Sequence, residues 1–165
     1  MSAMNEAAEK KSHRRSFLVV VDDTPECRVA LRFASMRAKK TGGGVVLLHV
    51  IEPADFQHWM AVENLMREEA REEAELLLQG LAAEVHEWSG IMPEYRIREG
   101  RKLDEILALL EAEPSIRVLV LGASPDAEGP GPLVSRLAGQ ISGSMPVPIT
   151  VVPGNMTPEQ IDDVS

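Results

Sequence analysis

One cysteine in 165 residues, Cys27, excludes an intramolecular disulfide framework and a cysteine-based zinc cluster. A lone free cysteine close behind a helix start reads as a small buried residue rather than a nucleophile. Positive charge is also scarce: 17 Lys and Arg stand against 26 Asp and Glu, giving a formal net charge of −9 and a pI near 5.0. That balance argues against nucleic acid as the main partner, because a phosphate backbone needs a concentrated basic surface. No apolar run approaches the roughly 20 residues of a membrane span, so no membrane partner is expected. The opening "MSAMNEAAEKKSHRR" has no apolar core of a secretory signal. These absences together point to a cytoplasmic protein whose residues 1–15 form a disordered, mixed-charge arm.

What is present suffices for one domain. With 44% hydrophobic residues over this length, a single real core is expected and two are not. From Ser16 onward, strand-like runs alternate with helix-like ones. "FLVVVD", "VVLLHVIEP" and "IRVLVLGAS" are short continuous apolar runs, as expected of strands buried on both faces of a parallel sheet. "EYRIRE" is more polar and fits a sheet edge. "VPITVVPG" reads as a last strand. Helical patterns fill the gaps: "TPECRVALRFASMRAKKTGGG", a long segment from about Met60 to Ser89, "KLDEILALLEAEP", and a short helix in "PLVSRLAGQIS". Five strands, four intervening helices and no Asn-Gly hairpin imply right-handed crossovers and an open parallel α/β sheet with helices on both faces. The domain is set at 16–153, followed by a polar tail at 154–165.

In such a sheet ligands bind at the carboxyl ends of the strands, where "VVVDDTPE" places Asp22 and Asp23. One acid has a plain explanation, since Asp23 or Thr24 followed by Pro25 is a helix cap with proline in the first turn. The pair also resembles the magnesium-binding acids of a response-regulator receiver, a phospho-switch. A receiver further needs an acceptor Asp after its third strand and a lysine after its last. Here Glu99 stands in the first place and the last strand has no lysine, so the groups for phosphoryl transfer are incomplete.

"FLVVVDDTPECRVAL", "VVLLHVIEP", "VLVLGAS" and "PITVVPG" resemble, from Phe17 to about Pro153, the universal stress protein family. The resemblance implies a single parallel sheet of strand order 3-2-1-4-5. It also implies an adenine nucleotide site at the end of the first strand, Val20, Val21 and Asp22, with Asp22 on the ribose and the Val50 backbone on the adenine. Asp22 is accordingly expected to point into the crevice beside Gly122. Nucleotide-binding members carry Gly-x2-Gly-x9-Gly-Ser/Thr after the fourth strand, which aims backbone N–H groups at phosphates. Counted from Gly122, this chain has Pro125, Ser135 and Arg136 at the remaining positions. Only the first glycine survives, and proline removes a donor. Gly129 and Gly131 keep the loop flexible, and Ser135 with Arg136 offers one means of holding an anion.

The chain therefore sits nearer the members resembling universal stress protein A, which lack the glycine pattern and do not bind ATP. The expectation is a regulatory binding protein with weak or absent ATP affinity. The alternatives are an ATP-binding, slowly hydrolysing member and the receiver-like switch. The apolar last strand at a sheet edge implies a homodimer through that strand. His49 reads as a sheet residue with a satisfied ring, and His49, Glu52, Asp55 and His58 match no standard metal spacing.

Overall fold

The computed structural model describes residues 14–52 and 60–165. Five strands, β1 (Ser16–Val20), β2 (Gly44–Ile51), β3 (Glu94–Glu99), β4 (Ile116–Ala123) and β5 (Ile149–Pro153), form one sheet of order β3-β2-β1-β4-β5. Every pairing is parallel. The helices are α1 (Pro25–Thr41), α2 (Met60–Ser89), α3 (Lys102–Ala112), the three-residue α4 (Pro132–Val134) and α5 (Pro158–Val164). Asp55 and His58 lie outside the described residues.

The continuous apolar runs serve two cores at once, because successive strand residues point to opposite faces. On one face Val19, Val21, Val45, Leu47, Val120 and Val152 pack with Ala30, Leu31 and Ala34 of α1 and Leu78, Leu81 and Val85 of α2. On the other, Leu18, Val46, Leu48, Val50, Leu119 and Leu121 meet Ile106, Leu109 and Leu110 of α3, with Val134 and Leu137. The edge position of β3 agrees with its composition: it is largely exposed and polar, and an Arg96 fork grips Glu113 at the end of α3 through bonds of 2.9 and 2.8 Å.

Two segments depart from the sequence reading. The single short helix expected in "PLVSRLAGQIS" is instead α4, a π-helical turn over Ser135–Gln140 and a 3-10 turn over Ser142–Ser144. The Ile141 N–H reaches five residues back to the Arg136 carbonyl at 3.0 Å, the π-helical bond. The second is the stretch set aside as a polar tail, which carries α5. Its seven residues bury one apolar side chain, Ile161, too few to make a periodic stripe. Its start was written in "TPEQ": Thr157 accepts the Gln160 N–H and the Gln160 side chain accepts the Thr157 N–H, a full capping box.

α5 is held by charge. The Arg32 guanidinium on α1 makes a two-pronged contact with Asp162 at 2.9 and 2.8 Å and lies 5.5 Å from the ring centre of Trp88 on α2. Lys40 Nζ donates to the carbonyls of Asp162 at 3.0 Å and Ser165 at 2.6 Å. The hydrogen bonds from Arg32 hold the Asp162 carboxyl below its ordinary pKa, so its stabilising contribution is present above the unfolded value and fades as pH falls through the folded one. Arg32→Ala is expected to cost about 1 kcal/mol near neutral pH, since the pair is partly exposed. Urea unfolding followed from pH 7 downward should show that difference shrinking as pH falls through the lowered pKa of Asp162, where protonation leaves Arg32 its Trp88 contact.

Candidate functional site

The sheet order reverses between β1 and β4, so the crevice beyond their carboxyl ends is the default ligand position of this architecture. Asp22 sits there, exposed, and is already at work: its Oδ1 accepts the Thr24 N–H at 2.9 Å and the Thr24 hydroxyl at 2.5 Å. Thr24 in turn caps α1, its Oγ1 accepting the Cys27 N–H at 3.3 Å. The helix start is thus served by Thr24, as one of the two residues expected, but Asp22 is not free of it. It orients the cap. Cys27 closes the turn from below, with Sγ accepting the Asp22 N–H at 3.4 Å, and burial pushes its thiol pKa up to about 12. It is a structural thiol at neutral pH.

Val21 is committed on both sides. Its N–H donates to the Leu48 carbonyl at 2.8 Å, and its carbonyl accepts from His49 Nδ1 at 3.0 Å, which assigns the proton to that nitrogen. Val20 packs its side chain with the α3-side core. Val50 lies in the wall of a cavity of about 450 Å3 at the end of β2. Glu52, Glu69 and Glu73 line the same cavity with His49 and Lys102. Two acids of α2, Glu69 and Glu73, thus face this cavity, while among the described residues its other acids do not line it. Lys102 was legible from its place, since the first residue of a helix after a parallel strand falls at this edge.

Gly122 serves packing. A Cβ there would collide with the Glu26 carbonyl in the first turn of α1, and one on Gly154 would lie 2.5 Å from the Ala123 carbonyl and 2.7 Å from Glu26 Cβ. Two bare backbones let the start of α1 settle onto the ends of β4 and β5. The loop that follows uses its own donors: Ser124 N–H goes to the Pro130 carbonyl at 3.1 Å, Asp126 N–H to Ser124 Oγ at 3.3 Å and Gly129 N–H to the Asp126 carbonyl at 3.1 Å. Ser135 N–H goes to the Gly131 carbonyl at 3.1 Å. Gly129 and Gly131 hold φ of 110° and 103°, backbone that favours glycine, while Ser135 and Arg136 are exposed on the π-helical turn.

The receiver reading fails on topology. Receiver sheets run 2-1-3-4-5, which brings the third strand beside the first. Here β3 is the outer strand with β2 between it and β1, and Glu99 is engaged by Arg67 at 3.6 Å and Arg71 at 3.5 Å.

A model described as the universal stress protein family matches residues 13–153. Among solved structures, the chain is similar to the universal stress protein UspA from Lactobacillus plantarum at 21% identity and a TM-score of 0.67, covering 85% of this chain and 98% of that one. It is similar to a universal stress protein from Archaeoglobus fulgidus in complex with dAMP at 15% identity and 0.62, covering 84% and 98%. A universal stress protein family protein from Arabidopsis thaliana with AMP bound aligns at 19% identity and 0.59, covering 88% and 99%. Curated protein sequences give no match.

If Gly122 is a packing residue, Gly122→Ala should destabilise the fold by about 1–3 kcal/mol or more, the usual penalty for forcing atoms into a filled site. Asp22→Ala should cost about 1 kcal/mol through the lost turn bonds. Chemical denaturation of both variants checks these values, and an unchanged midpoint for Gly122→Ala would count against the packing role.

Proposed function

We propose that this chain, which belongs to the universal stress protein family, is a cytoplasmic, homodimeric regulatory binding protein with weak or absent affinity for ATP. The observation that carries this reading is the state of the loop after β4. Phosphate cradles need backbone N–H groups pointing outward from flexible backbone. In this loop Ser124, Asp126, Gly129 and Ser135 spend theirs internally, and Pro125, Pro130 and Pro132 have none. Asp126 and Glu128 add repulsion toward a triphosphate.

The nucleoside end of such a ligand is better provided for. The relatives with AMP and dAMP support an adenine-type ligand, and the cavity of about 450 Å3 beside Val50 is of the size small-molecule sites take. Asp22 keeps its second oxygen, Oδ2, for a ribose hydroxyl. Glu52, Glu69 and Glu73 around that cavity suit a neutral base rather than phosphates. Lost charge-assisted donors are worth roughly 1.5 to 3 kcal/mol each, so two or three of them move a micromolar site toward the millimolar range. Arg136 recovers part of this only by turning into the crevice.

Dimerisation is supported by β5, which among the described residues pairs with β4 alone and leaves its other edge open. Val151 on it is 38% exposed. An apolar open edge is a pairing template, and a two-fold axis closes it.

Titration calorimetry with ATP and magnesium should show no saturable binding below about 100 micromolar. ATP co-purifying with the protein would instead favour the ATP-binding, slowly hydrolysing member, with Gly129, Gly131, Ser135 and Arg136 as the first residues to vary. Light scattering at micromolar protein should report a dimer, and Val151→Lys should shift it toward monomer. A monomeric wild-type chain would remove the dimer from the proposal.

A further inference from the structure

At the opposite end of the sheet from the nucleotide-type crevice, four arginines line one cavity of about 550 Å3: Arg14 and Arg15 before β1, Arg37 on α1 and Arg117 in β4. Phe17 and Phe33, both half-buried, form part of its wall, and among the described residues no Asp or Glu lines it. In a chain with nine excess negative charges this is an uneven placement. Arg28, Arg32, Arg67, Arg71 and Arg96 each face a carboxylate. None of the four cavity arginines has a side-chain hydrogen bond or ion pair with the described residues. The position of Arg37 is accounted for by the negative end of α1, where cations gather, but the other three have no such explanation.

The backbone is arranged to produce the cluster. Between β1 and β4 the register slips: Ser16 faces Ile116, but Phe17 faces Val118, which leaves Arg117 as an extra residue. Adjacent strand residues otherwise point to opposite faces, yet Arg117 and Val118 both line this cavity. A bulge re-aims a side chain in this way and is uncommon in parallel pairs. Arg15 is pinned next to it, its carbonyl accepting the Gly44 N–H at 2.9 Å and lying 2.7 Å from where a Cβ on Gly43 would stand. Thr41 and Thr150 also line the cavity, the Thr41 hydroxyl donating to the Arg37 carbonyl at 2.9 Å.

We propose that this cavity binds an organic phosphate with a flat apolar body, the guanidinium forks taking the phosphate oxygens and Phe17 and Phe33 taking the body. With no counter-charge among the described residues of the cavity, these guanidiniums repel one another, and a phosphate relieves that repulsion while offering the two-pronged contact that arginine favours. The aromatic wall separates this ligand class from bare phosphate. The volume lies within the range of small-molecule sites.

The test is calorimetric titration of the full chain with 1-naphthyl phosphate and, separately, with inorganic phosphate. The naphthyl ester is expected to bind saturably, at least about tenfold tighter than inorganic phosphate, and to weaken as salt rises. Arg37→Gln and Arg117→Gln should each lower its affinity about tenfold, in line with the loss of a charge-assisted contact. Phe33→Leu should lower naphthyl ester binding and leave inorganic phosphate unchanged. Arg28→Gln, which removes the same charge at the other end of α1, should leave both unchanged. Arg37 is exposed, so its variant keeps the fold even where the bulge at Arg117 does not tolerate change. Absence of saturable binding by the full chain, or equal affinity in Arg37→Gln and the unaltered protein, overturns the proposal, as does an equal loss in Arg28→Gln.

Discussion

The contact on which the carboxyl edge of this protein depends is that of Glu26 with two glycines. Gly122 at the end of β4 and Gly154 just past β5 carry no Cβ, and the first turn of α1 occupies the space those atoms would fill. Because α1 begins from β1, that approach draws its start across the switch point, and it fixes how the turn at Asp22, Asp23 and Thr24 is wound. The Asp22 carboxylate, the Thr24 cap and the Cys27 thiol then form one short chain of hydrogen bonds in that turn. Gly122 is thus the seat of a helix start, and any side chain there would occupy the space that Glu26 fills.

Electrostatics separates the two ends of the sheet. Toward the carboxyl edge lie Glu52, Glu69 and Glu73 around one cavity and Asp126 and Glu128 in the loop. Toward the amino edge lie Arg14, Arg15, Arg37 and Arg117. A net charge of −9 is therefore an average over two unlike regions. Each region presents its own field, because the field at a site is set by its nearest charges and distant ones are screened within about 10 Å in ordinary salt.

Arg32 performs a third task, tying together elements far apart in the chain. Its guanidinium stands between the Trp88 ring of α2 and the Asp162 carboxylate of α5. The planar fork suits both partners at once, stacking toward a ring while meeting a carboxylate edge to edge. With Lys40 on the Asp162 and Ser165 carbonyls, it gives a helix of seven residues the anchorage that one buried isoleucine would not.

Much of the fold was legible from local pattern. Uninterrupted β-branched and aliphatic runs such as "FLVVV" have one economical use, a strand covered on both faces, and alternation with helical patterns leaves a parallel sheet as the outcome. The caps at Thr24 and Gly42 and the polar character of β3 were readable for the same reason, since each is a property of a few adjacent residues. The loss of donors at Pro125 was readable because proline lacks an N–H wherever it stands. Only the tertiary structure decided what depends on distance in space: that α5 docks, that Glu99 meets Arg67 and Arg71, that the start of α1 settles onto Gly122, and that a one-residue slip beside Phe17 leaves Arg117 on a cavity it shares with three other arginines. Those outcomes join residues up to 130 positions apart, as Arg32 and Asp162 are. Their partners are chosen by packing of the whole sheet, which no window of neighbouring residues contains.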